Sequence, residues 1–246
     1  MIFLLPPSET KEPGGKRMAK VLSFKDLDPA RKSLQSELLE LCANPSAAAK
    51  ALKLGPKQLG EVSVNLELST PRCLPALDRY TGTLYDALKE GGVTASMRAR
   101  AGKTVFIQSS LFGLISAADQ IPHYRHSAGS KLPGVNLKQL WQAAHEKVWH
   151  KFAKEIVIDL RSNSYSELAP VPESLTCYSV DVVLEDSQGK RTRLNHFNKQ
   201  AKGQFVRSAL IIGKAPKTIA DLKAVAKLAK LKLEVSGKKL LLVTNG

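Results

Sequence analysis

Three short apolar runs, each followed at once by a polar cluster, constrain this chain more than any other feature. Ile2-Phe-Leu-Leu5 gives way to Pro6-Pro7-Ser8-Glu9-Thr10-Lys11. Lys103-Thr-Val-Phe-Ile-Gln108 ends in Ser109-Ser110, and Glu155-Ile-Val-Ile-Asp-Leu160 ends in Arg161-Ser162-Asn163-Ser164-Tyr165. A short run that is apolar at consecutive positions reads as a strand buried on both faces, the condition of a central parallel strand. Open α/β sheets place their ligand crevice just beyond the carboxyl ends of such strands. The pattern predicts an α/β fold, a single compact domain over residues 1–246. Its mixed sheet is parallel at the centre through Ile2–Leu5, Thr104–Gln108 and Ile156–Leu160, with helices on its flanks.

The remaining periodicities supply those helices and two hairpins. Leu34, Leu38 and Leu41 share a helical face, and Asn44-Pro45 caps and opens a second helix running to Leu54. Gly55-Pro56 ends that helix and starts another, so residues 44–65 read as a helix-hairpin-helix-like element burying Ala48, Leu52 and Leu59. Lys53, Gly55 and Lys57 at its turn are candidates for holding a DNA phosphate without reading a base. An αα-hairpin that only packs would have the same spacing. Leu77, Leu84 and Leu88 read as core, with Arg79 and Tyr80 projecting elsewhere and Gly82 as an interruption. Asn136 is a fitting N-cap for a helix that buries Leu137, Leu140, Trp141, Ala144, Val148 and Phe152. Thr176–Glu185 and Thr192–Phe197 flank the turn signature Asp186–Lys190, and Leu231–Val235 and Lys238–Val243 form a terminal hairpin. Between these pairs, Lys199–Ile211 reads as a basic helix. Thr218 with Asp221 resembles a capping box, opening a helix whose Lys223, Lys227 and Lys230 face outward.

Charge narrows the partners. Lys and Arg number 37 against 22 Asp and Glu, a formal net charge of +15 over 246 residues. Such an excess favours polyanions, nucleic acid first and an acidic lipid surface second. No apolar run approaches the ~18 residues of a spanning helix. Met1–Leu5 lacks a basic flank and stops at two prolines, which reads as a strand and not as a signal peptide, so a cytoplasmic protein is expected. Cys42, Cys73 and Cys177 are isolated, without a CxxC, which argues against a disulfide framework or a zinc site. His123 and His126 share an H-x-x-H spacing without an acidic third ligand nearby. No metal or cofactor is expected.

The polar clusters nominate the chemistry. In Ser109–Arg125, Ser109 and Ser110 end a strand and Gly113 permits a turn. Asp119 offers a carboxylate, and Tyr124 with Arg125 sets a planar ring beside a fork of donors. Asp119 and Arg125 could pair with each other, giving a plain surface loop, or with a ligand, and Asp119 is the one candidate for proton transfer. Ser8-x-x-Lys11 has the spacing of a serine nucleophile and its base, but neither Ser-Asp-Asn nor Lys-Thr-Gly follows, and an anion-holding pair is the simpler reading. Ala101-Gly-Lys-Thr104 fails as a phosphate loop because Met97 stands where glycine is required.

Taken in order, Ser8 with Lys11, Arg79-Tyr80-x-Gly82-x-x-Tyr85, Ser109-x-x-x-Gly113, Asp119-x-Ile121-x-x-Tyr124-Arg125, Trp141, Ser162-x-x-Tyr165 and Ala201-Lys202-Gly203 resemble the YaaA family of peroxide stress proteins across nearly the whole chain. The family commonly has Glu where Ser164 stands and Arg where Lys202 stands. The resemblance implies a role in the oxidative stress response, limiting damage from free intracellular iron. It also implies DNA binding through a basic cleft and a helix-hairpin-helix; the charge excess itself predicts weak sequence preference and strong salt dependence on duplex or branched DNA. With no cluster of iron ligands in the sequence, the effect on iron is read as indirect. The cleft residues it implies are Ser8, Lys11, Arg79, Tyr80, Ser109, Asp119, Tyr124, Arg125, Ser162, Tyr165 and Lys202. Two other functions stay open: an enzyme acting on a nucleobase or nucleotide in the same Ser/Tyr/Arg cleft, and a scaffold for an acidic protein.

Overall fold

A computed structural model describes residues 1–193 and 195–244, apart from the side chains at 195 and 196. In chain order the strands are β1 (Ile2–Leu5), β2 (Lys16–Arg17), β3 (Arg72–Pro75), β4 (Val105–Ser109), β5 (Gly113–Ser116), β6 (Gln120–Pro122), β7 (Val157–Asp159), β8 (Cys177–Glu185), β9 (Arg191–Thr192), β10 (Lys232–Ser236) and β11 (Lys239–Thr244). The helices are α1 (Asp28–Cys42), α2 (Pro45–Ala51), α3 (Glu61–Leu66), α4 (Ala76–Arg79), α5 (Thr83–Lys89), α6 (Ala95–Thr104), α7 (Leu137–Trp149), α8 (Asn163–Ser166), α9 (Asn195–Ile211) and α10 (Ile219–Leu228).

All four residues of β1 are buried, so it takes the middle of the main sheet, whose order is β10-β11-β8-β7-β1-β4-β5 with β9 added to β8. The run β11, β8, β7, β1 and β4 is parallel, while β5, β9 and β10 pair antiparallel. The fold is thus α/β with a mixed, centrally parallel sheet, built on the three apolar runs. β2, β3 and β6 form a separate antiparallel sheet. Side-chain alternation then fixes the two faces. Phe3 lies opposite Val105 and packs edge-on against Phe205 of α9, with ring centroids 6.2 Å apart. Phe106, one residue on from Val105, points the other way, to Phe24 and Phe152 beyond the end of α7.

Several local signals are realised as written. Asn136 Oδ1 accepts from the Gln139 N–H at 3.1 Å, Thr218 and Asp221 form a reciprocal capping box, and Trp141 and Trp149 are core. Others shift. Lys103 and Thr104 belong to α6, so the strand begins at Val105. Leu59 is 52% exposed, because a 3-10 turn at Pro56–Gln58 breaks the helical phase and Val62 fills the inward position. The strand expected at Thr192–Phe197 stops at Thr192. Position 194 lies outside the described residues, and helix α9 runs from Asn195. No helix among the described residues is long and apolar enough to cross a membrane.

Candidate functional site

The chain leaves β1 toward β4 and β5 on one side of the sheet and later returns to lay β7 and β8 on the other side. The strand order therefore reverses between β1 and β7, and the segments leaving their carboxyl ends must part. They part around a cleft of about 450 Å³ lined by Pro6–Thr10 after β1, Ser162 and Tyr165 after β7, residues 81–85 at the start of α5, and Lys199 of α9. Proline cannot extend a central strand, so Pro6-Pro7 turns the chain out of the sheet. The Tyr85 hydroxyl donates to the Pro6 carbonyl at 2.7 Å and fixes that exit. Gly82 has φ 89, and a Cβ there would lie 3.3 Å from Thr10 Oγ1 and 3.4 Å from Ser8 Oγ, two hydroxyls that are themselves 3.1 Å apart.

One aromatic layer from the cleft, four of the nominated side chains meet. Tyr80 stacks at 5.3 Å from the Tyr85 ring, and its hydroxyl lies 2.7 Å from that of Tyr124. Tyr124 in turn is 2.8 Å from Ser109 Oγ, which accepts the backbone N–H groups of Leu111 and Phe112. The Lys11 ammonium sits 4.3 Å from the centre of the Tyr124 ring and donates to the carbonyls of Ser8 and Glu9 at 2.9 and 3.1 Å. Burial, followed by the charges of Arg125 and Arg79, pulls Lys11 down to about 7 against the opposing pull of Glu61 and Glu9. Burial likewise pushes both tyrosines well above their ordinary range. The three hydroxyls form one hydrogen-bonded chain, while the Lys11 amine is spent on two carbonyls and lies over the face of the Tyr124 ring, not on a hydroxyl. Ser8 and Lys11 are not a nucleophile and base, because Lys11 is bonded to the Ser8 carbonyl and not to its hydroxyl.

Arg125 joins this region to the hairpin. Its guanidinium bonds Glu9 beside the cleft at 3.3 Å and Glu61, the first residue of α3, at 3.2 Å. The fully buried Asn65 clamps its backbone, accepting from Arg125 N at 2.7 Å and donating to Arg125 O at 2.9 Å. Tyr165 turns its hydroxyl to the Ala128 N–H at 3.4 Å. Next along, Lys53 Nζ reaches to within 3.5 Å of where a Cβ on Gly129 would stand, and Lys131 N–H donates to the Ala51 carbonyl. Lys53 itself is held at φ 57. Lys50, Lys53, Lys57 and Lys131 are all exposed, and none has an acidic partner among the described residues.

Three nominated residues do other work. Arg79 does not project outward: it is fully buried and donates to the carbonyls of Ile121, Glu12, Gly14 and Arg72, so no N–H fork is left for a ligand. Asp119 neither meets Arg125 nor lines the cleft. It accepts from Ser23 N and Oγ at 2.7 Å and from Ser116 N at 3.1 Å, tying the segment before α1 to the end of β5. Burial raises its carboxyl above the ordinary range while those donors and Arg31 hold it back, and its place removes it from proton transfer in the cleft. Lys202 donates to the Leu160 carbonyl at 3.0 Å, capping the end of the β7 segment from below. Ser162 lies on the rim, 3.3 Å from Ser164 Oγ.

Sequence reasoning missed Thr83 and Lys199 in the cleft, Glu61 and Asn65 beside Arg125, and Arg31, which is buried and donates to Phe112 O, Leu114 O and Phe24 O. Glu61 was legible in principle, as a lone acid beside a run of lysines. The fully buried Gln108 amide, with neither atom bonded among the described residues, carried no signal at all.

Compared with known proteins, residues 1–235 match the family model described as "Peroxide stress protein YaaA". The chain belongs to the YaaA peroxide stress family. It is 37% identical over 242 residues to a UPF0246 protein of Corynebacterium glutamicum, covering 95% of each chain. To a UPF0246 protein of Streptomyces coelicolor it is 38% identical over 228 residues, 90% of this chain and 87% of that one. A UPF0246 protein of Shewanella sediminis is 29% identical over 189 residues, 71% and 73% of the two chains. The match runs through every segment that builds the cleft, so membership and the geometry concern the same part of the molecule.

Proposed function

We propose that this protein acts in the cytoplasm in the peroxide stress response by holding duplex or branched DNA with weak sequence preference, limiting the damage that free iron and peroxide inflict there. The observation that carries this is the exposed, unpaired group Lys50, Lys53, Lys57 and Lys131 at the mouth of the α2–α3 hairpin. Unpaired cations on a short, backbone-rich turn suit phosphates and carry no base code. The α2–α3 element has the outline of a helix-hairpin-helix, with Gly55 at its turn, and Arg125 and the 128–131 loop bring it against the cleft. Protection then follows from occupying the DNA, with the effect on iron indirect.

Salt titration of binding to a labelled duplex and a four-way junction tests this. Each phosphate neutralised contributes a slope of about −0.9 in log affinity against log salt. Lys53→Ala and Lys57→Ala are each expected to weaken binding uniformly across sequences and to flatten the slope by about one. Binding that is insensitive to both changes and to salt would end the reading. A second reading, an enzyme acting on a nucleobase or nucleotide, is favoured by Lys11 beside Tyr124. Turnover that Lys11→Met abolishes while duplex affinity holds would select it.

A further inference from the structure

We infer that the cleft between β1 and β7 is a pocket for a single nucleotide unit, taken from a DNA strand whose phosphates run over the hairpin lysines. Its place at the strand-order reversal is where open α/β sheets bind ligands, and its volume of about 450 Å³ falls within the ~300–1,000 Å³ of small-molecule sites.

The lining says what kind of ligand fits. Ser8, Thr10, Thr83 and Ser162 present hydroxyls, which donate and accept alike. That suits a base edge or a sugar, both of which mix donors and acceptors. It suits a bare anion poorly, since an anion is held by inward-facing cations. Tyr165 has its hydroxyl engaged by Ala128, so what it offers the cleft is its ring, a stacking surface that tolerates any base. The one acid on the wall, Glu9, is bonded to Arg125, and Lys199 stands exposed at the rim where a phosphate would lie. Gly82 keeps the wall open, because its φ of 89 is strained for any side chain and a Cβ would press on Thr10 and Ser8.

Position supplies the source. Tyr165 is bonded to Ala128, and Gly129 next to it lies beside Lys53, so a short chain of contacts links the cleft wall to the lysine group. A strand crossing the lysines could swing one nucleotide into the cleft at the cost of its stacking, a few kcal/mol and least at a mismatch. This source rests on the DNA-binding reading; the pocket's chemistry does not.

Two measurements separate them. A duplex with a mismatched 2-aminopurine is expected to brighten at least three-fold when saturated with protein, as the base leaves the stack. Ser162→Phe fills the cleft from an exposed position whose side chain makes no capping bond, and is expected to remove most of that rise at protein concentrations where anisotropy shows the duplex bound. Thr83→Val, which keeps the shape and loses the hydroxyl, is expected to reduce it. In the second arm, 2-aminopurine riboside 5′-monophosphate is titrated alone. Saturable binding there that Ser162→Phe abolishes, without any response from the duplex, assigns the pocket to free nucleotides. A full response from both variants, or no response in either arm, overturns the pocket. Failure of the duplex to bind by anisotropy sinks the DNA reading, and the mononucleotide arm then decides the pocket alone.

Discussion

Arg79 and Lys11 show how two cations nominated together part company once their surroundings are known. A guanidinium has five N–H donors and no acceptor, and in Arg79 they are directed at four backbone carbonyls around β3, β6 and the 12–14 loop. Arg79→Lys keeps the charge and loses the fork, leaving buried carbonyls unpaired at ~1–3 kcal/mol each. The expected result is a fall in stability of about 2–4 kcal/mol in urea titrations, with DNA affinity at low temperature within two-fold of the parent; a stable variant that no longer binds would make Arg79 a ligand group after all. Lys11 behaves oppositely. Its folded value near 7 lies below its unfolded value of 10.5, so between those pH values the unfolded chain holds more protons and stability climbs with pH. Lys11→Met should remove a slope of about 1 kcal/mol per pH unit across pH 7 to 10, read as the difference between two urea-midpoint series. The sequence pointed to both residues but could not say which carbonyls or rings would meet them, because three of the carbonyls on Arg79 lie 42 to 67 positions away and the rings beside Lys11 come from other segments of the chain.

At the scale of elements, the strands were the legible part. A four-residue run such as Ile2–Leu5 has no amphipathic alternative, and its burial on both faces follows from composition. Short helices were harder. α6, with Arg98, Arg100 and Lys103, shows little apolar periodicity and is held by Thr94 at its N-cap and by Arg100 donating to the Leu210 carbonyl of α9. Gly55-Pro56 marked the break after α2, but the spacing of Leu52 and Leu59 could not reveal that a 3-10 turn follows it and leaves Leu59 exposed. The motif Ala201-Lys202-Gly203 now has a packing reason. A Cβ on Gly203 would stand 2.2 Å from the Leu84 carbonyl and 2.9 Å from Ala87 Cβ, so only glycine lets α9 lie this close to α5. Gly203→Ala must push apart two helices whose backbones cannot rotate away, a strain of ~1–3 kcal/mol. At this chain length that is roughly 2–4 °C in Tm for each kcal/mol. Because Leu84 and Tyr85 form one wall of the cleft, the same variant should also shift any ligand affinity there, whereas Gly237→Ala, at a surface turn with nothing within 4 Å, should leave that affinity unchanged.

For the whole molecule, the net charge of +15 and the buried histidines act on stability from the same direction. Burial is the main force lowering His126 to about 3 and His145 to about 4, with Lys11 adding to the first and Arg161 and Arg31 to the second, although the bond from His145 to the Trp141 carbonyl works against it. His123, also lowered to about 4, is half-buried and contributes less because solvent screens it. Each buried ring stays neutral in the folded state while an unfolded histidine takes a proton near 6.5, so below that value the unfolded chain binds more protons. Their stability is complete above pH 6.5 and drains away as pH falls toward 4, by about 1 kcal/mol per pH unit for each. Lys11 continues the same slope above pH 7, so the molecule is expected to be firmest on the alkaline side of neutral. Urea midpoints at pH 7.5, 6.0 and 4.5 test this: the parent should weaken steeply across the series and the His126→Gln, His145→Gln double variant less steeply. Parallel lines for the two proteins would mean that acid unfolds this chain through its surface charge alone.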